Sequence, residues 1–351
     1  MSESDLEASE TIRALGEFGL IARLTAGLTT RPDVLVGVGD DCAALDLGGE
    51  LVLLATCDAL LDGEQFLRRA ATPEQIGRRA MAVNLSDIAS MGGWPRYALV
   101  SLLLPADLPT TFMDGVYRGL RAEAEQYGAV IVGGNITGSS TFGIDMTLLG
   151  QARRGQMLLR SGARPGDALL MTGTLGEAAA GLHLLLHPEL KVSDVPASSA
   201  ARLEAALLAP VPRVPEGRLL ARLGAASAMM DISDGLAADL WHLCERSGVG
   251  ACLDGAALPI PDAVHTAAHF VGQSALDWGL FGGEDYQLLF TAPPAAVARI
   301  RDTLWIATGT PVTVIGDMLP PEAGLTLRAR DGSIRPLPRR GWDHLRSSAR
   351  S

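Results

Sequence analysis

The residues of this 351-residue chain that could do chemistry are aspartates, and their placement is what distinguishes them. Asp40 and Asp41 lie in GVGDDCAAL, a glycine-flanked turn. Asp58 closes an apolar strand, LVLLATCD, and Asp87 sits inside the apolar stretch AVNLSDIASMGG. Asp231 and Asp234 occur in MMDISDGL, where a strand turns into a helix, and Glu284 and Asp285 precede an apolar strand in FGGEDYQLLF. Carboxylates set against apolar strands are costly to bury unless a cation pairs with them. Several aspartates with nearby hydroxyls, and no clustered His or Cys, make a hard oxygen set that suits Mg²⁺ or Mn²⁺ rather than zinc. Magnesium takes one or two protein carboxylates and leaves its other positions to water and phosphate oxygens. Aspartates from different loops are therefore expected to hold several ions around a polyphosphate.

Taken singly, each aspartate has a plainer explanation, because an Asp at a strand end or before a helix is usually an N-cap or turn former. Asp231 and Ser233 are good N-cap candidates in their own right. Asp87 resists that reading, since no cap or turn is evident at its position. It is the collection that favours a metal site. The chain has no GxxxxGK[ST] loop, no kinase-type glycine loop with an HRD partner, and no GxSxG or Cys/His nucleophile pairing. The turn Thr172–Gly176 before a helix is either an anion site at a helix N-terminus or simple strand–helix packing. His183, His187, His242, His265, His269 and His344 show no metal spacing, and His183 and His187 mark a solvated helix end. Cys42, Cys57, Cys244 and Cys252 form no CxxC pair, which argues against both a zinc site and a disulfide framework.

These residues need a scaffold, and the hydrophobic pattern supplies one. Leu51–Ala55, Ala98–Leu104, Ala129–Val132 and Ile144–Leu149 predict strands, separated by helices over Pro73–Met91 and Thr110–Tyr127. Pro73 suits a first helical turn, and Gly128 a helix stop. After Gly150 the basic, Gly/Pro-punctuated stretch QARRGQMLLRSGARPGD predicts a linker. A strand–turn–helix follows over Asp167–Leu186, then an exposed insertion over Asp194–Pro215 around a short helix. Further strands are expected at Ala228–Ile232, Tyr286–Thr291 and Val312–Ile315. The expected fold is α/β (α+β) in two domains, residues 1–152 and 153–351.

Composition sets the outer limits. The chain is 48% hydrophobic but only 5% aromatic, so its core must come mainly from Ala, Leu, Val and Ile. A formal net charge of −11 argues against a nucleic-acid partner, which needs a basic footprint. An acidic protein binds polyphosphate when divalent cations neutralise both sides. The polar, acidic start MSESDLEASE is unlike a signal peptide, and the apolar runs are too short to span a bilayer. A cytoplasmic protein without membrane partners is expected.

Taken in order, the segments resemble the thiamine-monophosphate kinases, a branch of the aminoimidazole-ribonucleotide synthetase superfamily. They are GEFGLIARLT, GVGDDCA, TCDALLDGEQF, MAVNLSDIASMGG, VGGN, LLRSGARPGD, MTGTLGEAAAGL, DISDGLAADL and GGEDYQLLF, spanning roughly residues 16–291, with a weaker echo at GWDHL. The resemblance implies two α/β domains, the N-terminal ones pairing in a homodimer into a shared β-barrel. It implies ATP and thiamine monophosphate as substrates, several Mg²⁺ ions, and in-line transfer needing no residue as general base. Residue by residue, Asp41, Asp58, Asp87, Asp231 and Asp234 match metal ligands, with Thr56 and Cys57 where two hydroxyl residues usually assist. Gly134, Arg160 and Ser233 match ATP contacts, and Glu284 and Trp342 match substrate contacts.

Three positions depart from the family pattern. Asn135 replaces a metal-ligating Asp that would also face ATP, and offers a carbonyl oxygen without the charge. Gln65 stands where a substrate-contacting His is expected. Cys57 replaces a threonine and is a poor ligand for hard Mg²⁺. Two other functions therefore remain open: a related ATP-dependent enzyme with a different small substrate, or a non-catalytic nucleotide- or thiamine-phosphate-binding protein.

Overall fold

A computed structural model describes residues 11–187, 195–342 and 345. The start MSESDLEASE and, from the GWDHL echo, Asp343 and His344 lie outside the described residues. Helix α1 (Ile12–Thr25) opens the fold, kinked at Gly16, whose φ is 70°. Six strands then form the first sheet: β1 (Val34–Val36), β2 (Ala43–Leu45), β3 (Leu51–Leu61), β4 (Trp94–Leu104), β5 (Val130–Gly138) and β6 (Gly143–Arg153). Their order is β1-β2-β3-β6-β4-β5, which leaves β5 on an edge.

Period-two alternation decides which face is covered. Val52, Leu54, Val100, Leu102, Ile144, Met146 and Leu148 are fully buried on one face. On the other, Leu51, Leu61, Tyr97 and Leu99 remain exposed. The strands outrun the apolar patterns that predict them. Strand β3 pairs with β6 without a break from Leu51↔Arg153 to Leu61↔Gly143, so the ladder carries polar and small residues along with apolar ones. Asp58 thus lies inside a strand and does not end one, and β5 runs to Gly138 beyond the expected Val132.

Helix α2 (Pro73–Ser90) begins with a Thr72–Gln75 capping box and Pro73 in its first turn. Helix α3 (Thr110–Tyr127) stops at Gly128 in the left-handed conformation (φ 77°). The two helices cross backbone against backbone. A Cβ on Gly77 would lie 2.0 Å from the Val116 carbonyl oxygen, and one on Gly119 would lie 2.0 Å from that of Glu74.

The second sheet has seven strands: β7 (Ala168–Thr172), β8 (Ala228–Asp231), β9 (Gly250–Asp254), β10 (Leu288–Ala292), β11 (Val312–Leu319), β12 (Leu325–Arg328) and β13 (Ile334–Pro336). Their order is β13-β12-β9-β11-β7-β10-β8. Strands β7, β8 and β10 are buried along their whole length, as continuous apolar runs covered on both faces should be. The expected strand start at Tyr286 shifts to Leu288, because Tyr286 takes a positive φ of 48° that no strand accepts.

Helices α4 (Glu177–Leu186), α5 (Ala197–Leu208), α6 (Val214–Leu223) and α7 (Leu236–Ser247) follow the chain around this sheet. Leu169 and Met171 of β7 pack with Leu236 and Leu240 of α7, while Leu170 packs with Leu220 of α6 on the opposite face. Residues 195–215 are not an exposed insertion. Leu203 and Leu207 of α5 are buried, and Gly181 of α4 lets the helices touch, its Cβ position being 2.1 Å from the Leu203 carbonyl oxygen. Asp194 lies outside the described residues. Among the described residues no helix is long and apolar enough to cross a membrane.

Helix α2 is the hinge pin of the architecture. It packs on β3 and β6 of the first sheet and on α6 and β8 of the second half. Its contact with α6 is made by glycine: a Cβ on Gly217 would lie 2.0 Å from the Ala89 carbonyl oxygen. Overpacking such a contact costs about 1–3 kcal/mol. Gly217→Ala is therefore expected to lower stability by that amount in urea denaturation. Gly155→Ala, with nothing within 4 Å of its Cβ position, should stay within about 0.5 kcal/mol of the parent. Equal stability of the two variants would contradict the close crossing.

Candidate active site

Three separate segments deliver carboxylates to one point. Asp41 comes from the β1–β2 loop, Asp87 from the last turn but one of α2, and Asp231 from the end of β8. One oxygen from each lies within 4.8 Å of the others. The Oδ2 atom of Asp41 is buried and has no hydrogen-bond partner. An orphaned buried carboxylate oxygen facing two more carboxylates, with neither His nor Cys in the group, fits a hard divalent cation with oxygen ligands. Neither Asp231 nor Ser233 caps α7: the N-cap is Gly235, and its N–H donates to Asp239 at 3.1 Å.

Neighbouring polar groups fix these side chains. Ser86 Oγ donates to Asp231 Oδ2 at 2.6 Å, and Thr56 Oγ1 donates to Asp87 Oδ2. Arg160, in the crossover between the two sheets, reaches Asp41 Oδ1 through Nε at 3.0 Å and accepts at its carbonyl from Ser247. Its own N–H donates to Asp40 at 3.2 Å. The linker stretch of the sequence thus supplies a site residue that bridges both halves of the chain.

Packing like charges away from water raises their pKa values. Burial, then the charges of Asp58, Asp231 and Asp41, push Asp87 well up, and the Thr56 hydroxyl pulls it partly back. Burial and then Asp41 push Asp231 up to about 7. Asp40 rises to about 6, mainly by burial and then by Asp41.

The cluster lies in a cavity of about 1530 Å³ between the two halves. Asp58, Asp234, Ser233, Gln65, Glu284 and Trp342 line it as well. Trp342 is tied to the site through its N–H, which donates to the Asp234 carbonyl at 2.9 Å. Gln65 Oε1 accepts from the Leu61 N–H at 2.9 Å. Strand alternation separates Thr56 from Cys57: Cys57 is exposed on the other face of β3, opposite Thr147 and next to Asp145. Gly134 and Asn135 lie on the edge strand β5 outside the cavity lining, and Asn135 Nδ2 donates to Thr137 Oγ1 at 3.2 Å.

The turn before α4 is filled by a carboxyl group of the protein itself, Asp285. The Gly176 N–H donates to both carboxylate oxygens of Asp285, at 3.0 and 3.2 Å, so the packing alternative describes this turn. His183 lines the cavity while His187 is exposed, their rings 4.6 Å apart. Sequence reading passes over Ser86, Arg79 and Tyr286, whose partners lie far along the chain or in a strained turn. Buried polar positions on the otherwise apolar α2 are the one signal that marks Arg79 and Ser86.

Comparison with known proteins follows the same outline. The family model described as AIR synthase related protein, N-terminal domain, matches residues 39–152, and its C-terminal counterpart matches residues 164–324. The thiamine-monophosphate kinase of Escherichia coli O157:H7 is 39% identical over 336 residues, 95% of this chain and 99% of the relative. That of Aquifex aeolicus (strain VF5) is 38% identical over 282 residues, 80% and 87% of the two chains. The solved structure described as "AaThiL complexed with AMPPCP and TMP" matches with a TM-score of 0.82 at 35% identity, covering 96% of this chain and 99% of that one.

Without a cation the carboxylate cluster must weaken the fold. A carboxylate whose folded pKa lies above its unfolded value of about 3.9 costs stability once it ionises. For Asp231 that cost starts as pH rises past the unfolded value and is complete above about 7. In chelator, the thermal midpoint is expected to fall between pH 5 and pH 8. Asp87→Asn should flatten that fall and raise the midpoint at pH 8 by about 2–4 °C, equivalent to about 1 kcal/mol. Mg²⁺ should raise the parent midpoint and leave that of Asp87→Asn nearly unmoved. A pH-independent midpoint in chelator would rule out mutual repulsion.

Proposed function

The chain belongs to the AIR synthase related family, among its thiamine-monophosphate kinases, and from that premise we propose that it phosphorylates thiamine monophosphate with ATP, giving thiamine diphosphate and ADP. The observation that carries this reading is the oxygen-only cluster Asp41–Asp87–Asp231, closed by Arg160, at one end of a large cavity. The γ-phosphorus bond to the ADP oxygen breaks as a bond to an acceptor phosphate oxygen forms. That acceptor is already anionic, so no residue needs to take a proton and the work is positioning and charge neutralisation.

Asp41, Asp87 and Asp231 would hold Mg²⁺, with Asp58 and Asp234 on the same wall for further ions and Thr56 steadying Asp87. Bound Mg²⁺ neutralises phosphate oxygens and the developing charge between them. Arg160 and Ser233, which line the cavity, are assigned to nucleotide phosphates, a guanidinium being suited to clamp phosphate oxygens. Glu284, Trp342 and Gln65, which line the same cavity, are assigned to the thiamine rings. Cys57 lines the cavity from the strand face opposite Thr56, and Asn135 lies outside the lining.

We place the activity in the cytoplasm and in a homodimer joined through the first sheet. Its uncovered face exposes Tyr97, Leu99, Val130 and Val132, which is more apolar surface on one side than a monomer usually leaves in water. Gly134 and Asn135 lie on the same edge strand, outside the cavity lining, and the proposed pairing is what would bring them to a nucleotide.

Purified protein with ATP, Mg²⁺ and thiamine monophosphate is expected to form thiamine diphosphate. Asp87→Asn should cut the rate by at least about 10³-fold, the scale on which removing a transition-state electrostatic group acts. ADP release with only a different acceptor would instead indicate a related enzyme, and tight nucleotide binding without turnover a binding protein. Val130→Glu with Val132→Glu is expected to convert a dimer into a monomer in light scattering. An unchanged mass would move the interface elsewhere.

A further inference from the structure

Arg79 is the most deeply buried charged side chain on the cavity wall whose place the phosphoryl-transfer site does not explain. Its side chain is 3% exposed on α2, and one guanidinium nitrogen donates to the Leu207 carbonyl of α5. Another donates to Glu284 Oε2, across the gap between the two halves of the chain. Its Nε is buried without a partner. Glu284 is also held from its own side: Tyr286 Oη donates to the same Oε2 atom at 3.2 Å.

The backbone there is strained in a way that needs such support. Among the described residues, Glu284 (φ 71°) and Tyr286 (φ 48°) are the non-glycine residues with positive φ, a conformation that strains an L-residue. The turn is stitched to the cluster loop, because the Glu284 N–H donates to the Ser233 carbonyl at 2.7 Å and that of Tyr286 to Ile232 at 2.8 Å. Glu284 nonetheless keeps 30% of its side chain accessible and lines the cavity. Burial, then the charge on Glu284, push the Tyr286 hydroxyl well above its ordinary range, which keeps it protonated as a donor.

Distance along α2 says which end of the acceptor this pair faces. Arg79, Val83 and Asp87 stand at i, i+4 and i+8 and all line the cavity, so they form one stripe. Eight residues at 1.5 Å each put Arg79 about 12 Å along the helix from the carboxylate cluster. An acceptor with its phosphate at the cluster therefore presents the far end of its ring system to Glu284, where an aminopyrimidine offers amino hydrogens to a carboxylate.

We propose that Arg79 is a positioning residue for acceptor recognition, holding the Glu284 carboxylate from the opposite half of the chain in the orientation that receives the aminopyrimidine. The inference rests on the acceptor being thiamine monophosphate. A buried ion pair alone adds little stability compared with apolar packing, whereas truncating one partner leaves the other misplaced.

Steady-state kinetics with both substrates varied test it. Arg79→Met and Glu284→Gln are each expected to raise KM for thiamine monophosphate about ten-fold or more, while KM for ATP stays within about two-fold. The double variant should be no worse than the poorer single within about two-fold, since both remove one unit. Arg79→Lys should restore most of the loss caused by Arg79→Met. Tyr286→Phe removes a single hydroxyl and keeps the test open should Arg79→Met fail to fold; it should raise the acceptor KM about three-fold. Parallel rises in both KM values, additive losses in the double variant, or an unchanged acceptor KM would overturn the role of Arg79 alone. A parent protein with no turnover of thiamine monophosphate would overturn the proposed function and, with it, this inference.

Discussion

The structure turns on mutual repulsion among carboxylates that packing forces together. Asp41, Asp87 and Asp231 arrive from a loop, a helix and a strand end, and hydrophobic burial around α2 and β8 holds them within 4.8 Å of one another. Asp87 and Asp231 would each lower their energy by taking a proton, and their raised pKa values measure that tension. Arg160 relieves part of it by pairing with one Asp41 oxygen and leaves the other unsatisfied. The divalent cations proposed for this site would supply what the protein alone leaves unsatisfied.

Holding the cluster requires the two sheets to sit in one fixed relation, and glycine sets that relation. Close contact at Gly77–Val116 brings α3 onto α2, and close contact at Gly217–Ala89 brings α6 onto the other side of the same helix. Backbone-to-backbone contact leaves little freedom to slide, unlike a layer of long side chains. The Arg79–Glu284 pair spans the same seam farther along α2, and the bonds of Arg246 to the carbonyls of Val38 and Gly39 span it near Asp41. The cavity is thus bounded on both sides of the seam by contacts specific in direction.

Much of this is legible in the sequence, for reasons that differ residue by residue. Helix α3 can be read to its last residue because its apolar period runs cleanly into Gly128, which terminates it in the left-handed conformation. Asp87 stands out because nothing local explains a charge in that stretch. Strand ends are less legible, since the β3–β6 ladder continues through Thr56, Cys57 and Asp58 on backbone hydrogen bonds that no side-chain pattern records. Segment 195–215 misleads because its alanines resemble a loose surface, whereas Ala200 and Leu203 pack against α4, whose Gly181 lets the two helices touch. Arg79 and Ser86 are not legible as site residues, because their partners Glu284 and Asp231 are 205 and 145 positions away.

Geometry also gives the three departures from the family pattern a common character. Cys57 points away from the cluster, Asn135 lies on the exposed edge strand, and Gln65 spends its carbonyl oxygen on the Leu61 N–H. None of the three removes an oxygen from the Asp41–Asp87–Asp231 group or breaks the hydrogen bonds from Thr56, Ser86 and Arg160 that hold it. In the proposed reading, changes at these positions would act on what surrounds the phosphates, the strength of an outer ion or the fit of the acceptor. The charge concentration that makes phosphoryl transfer possible is left intact, because it is built by the packing of α2 between two sheets and the departures lie outside that packing.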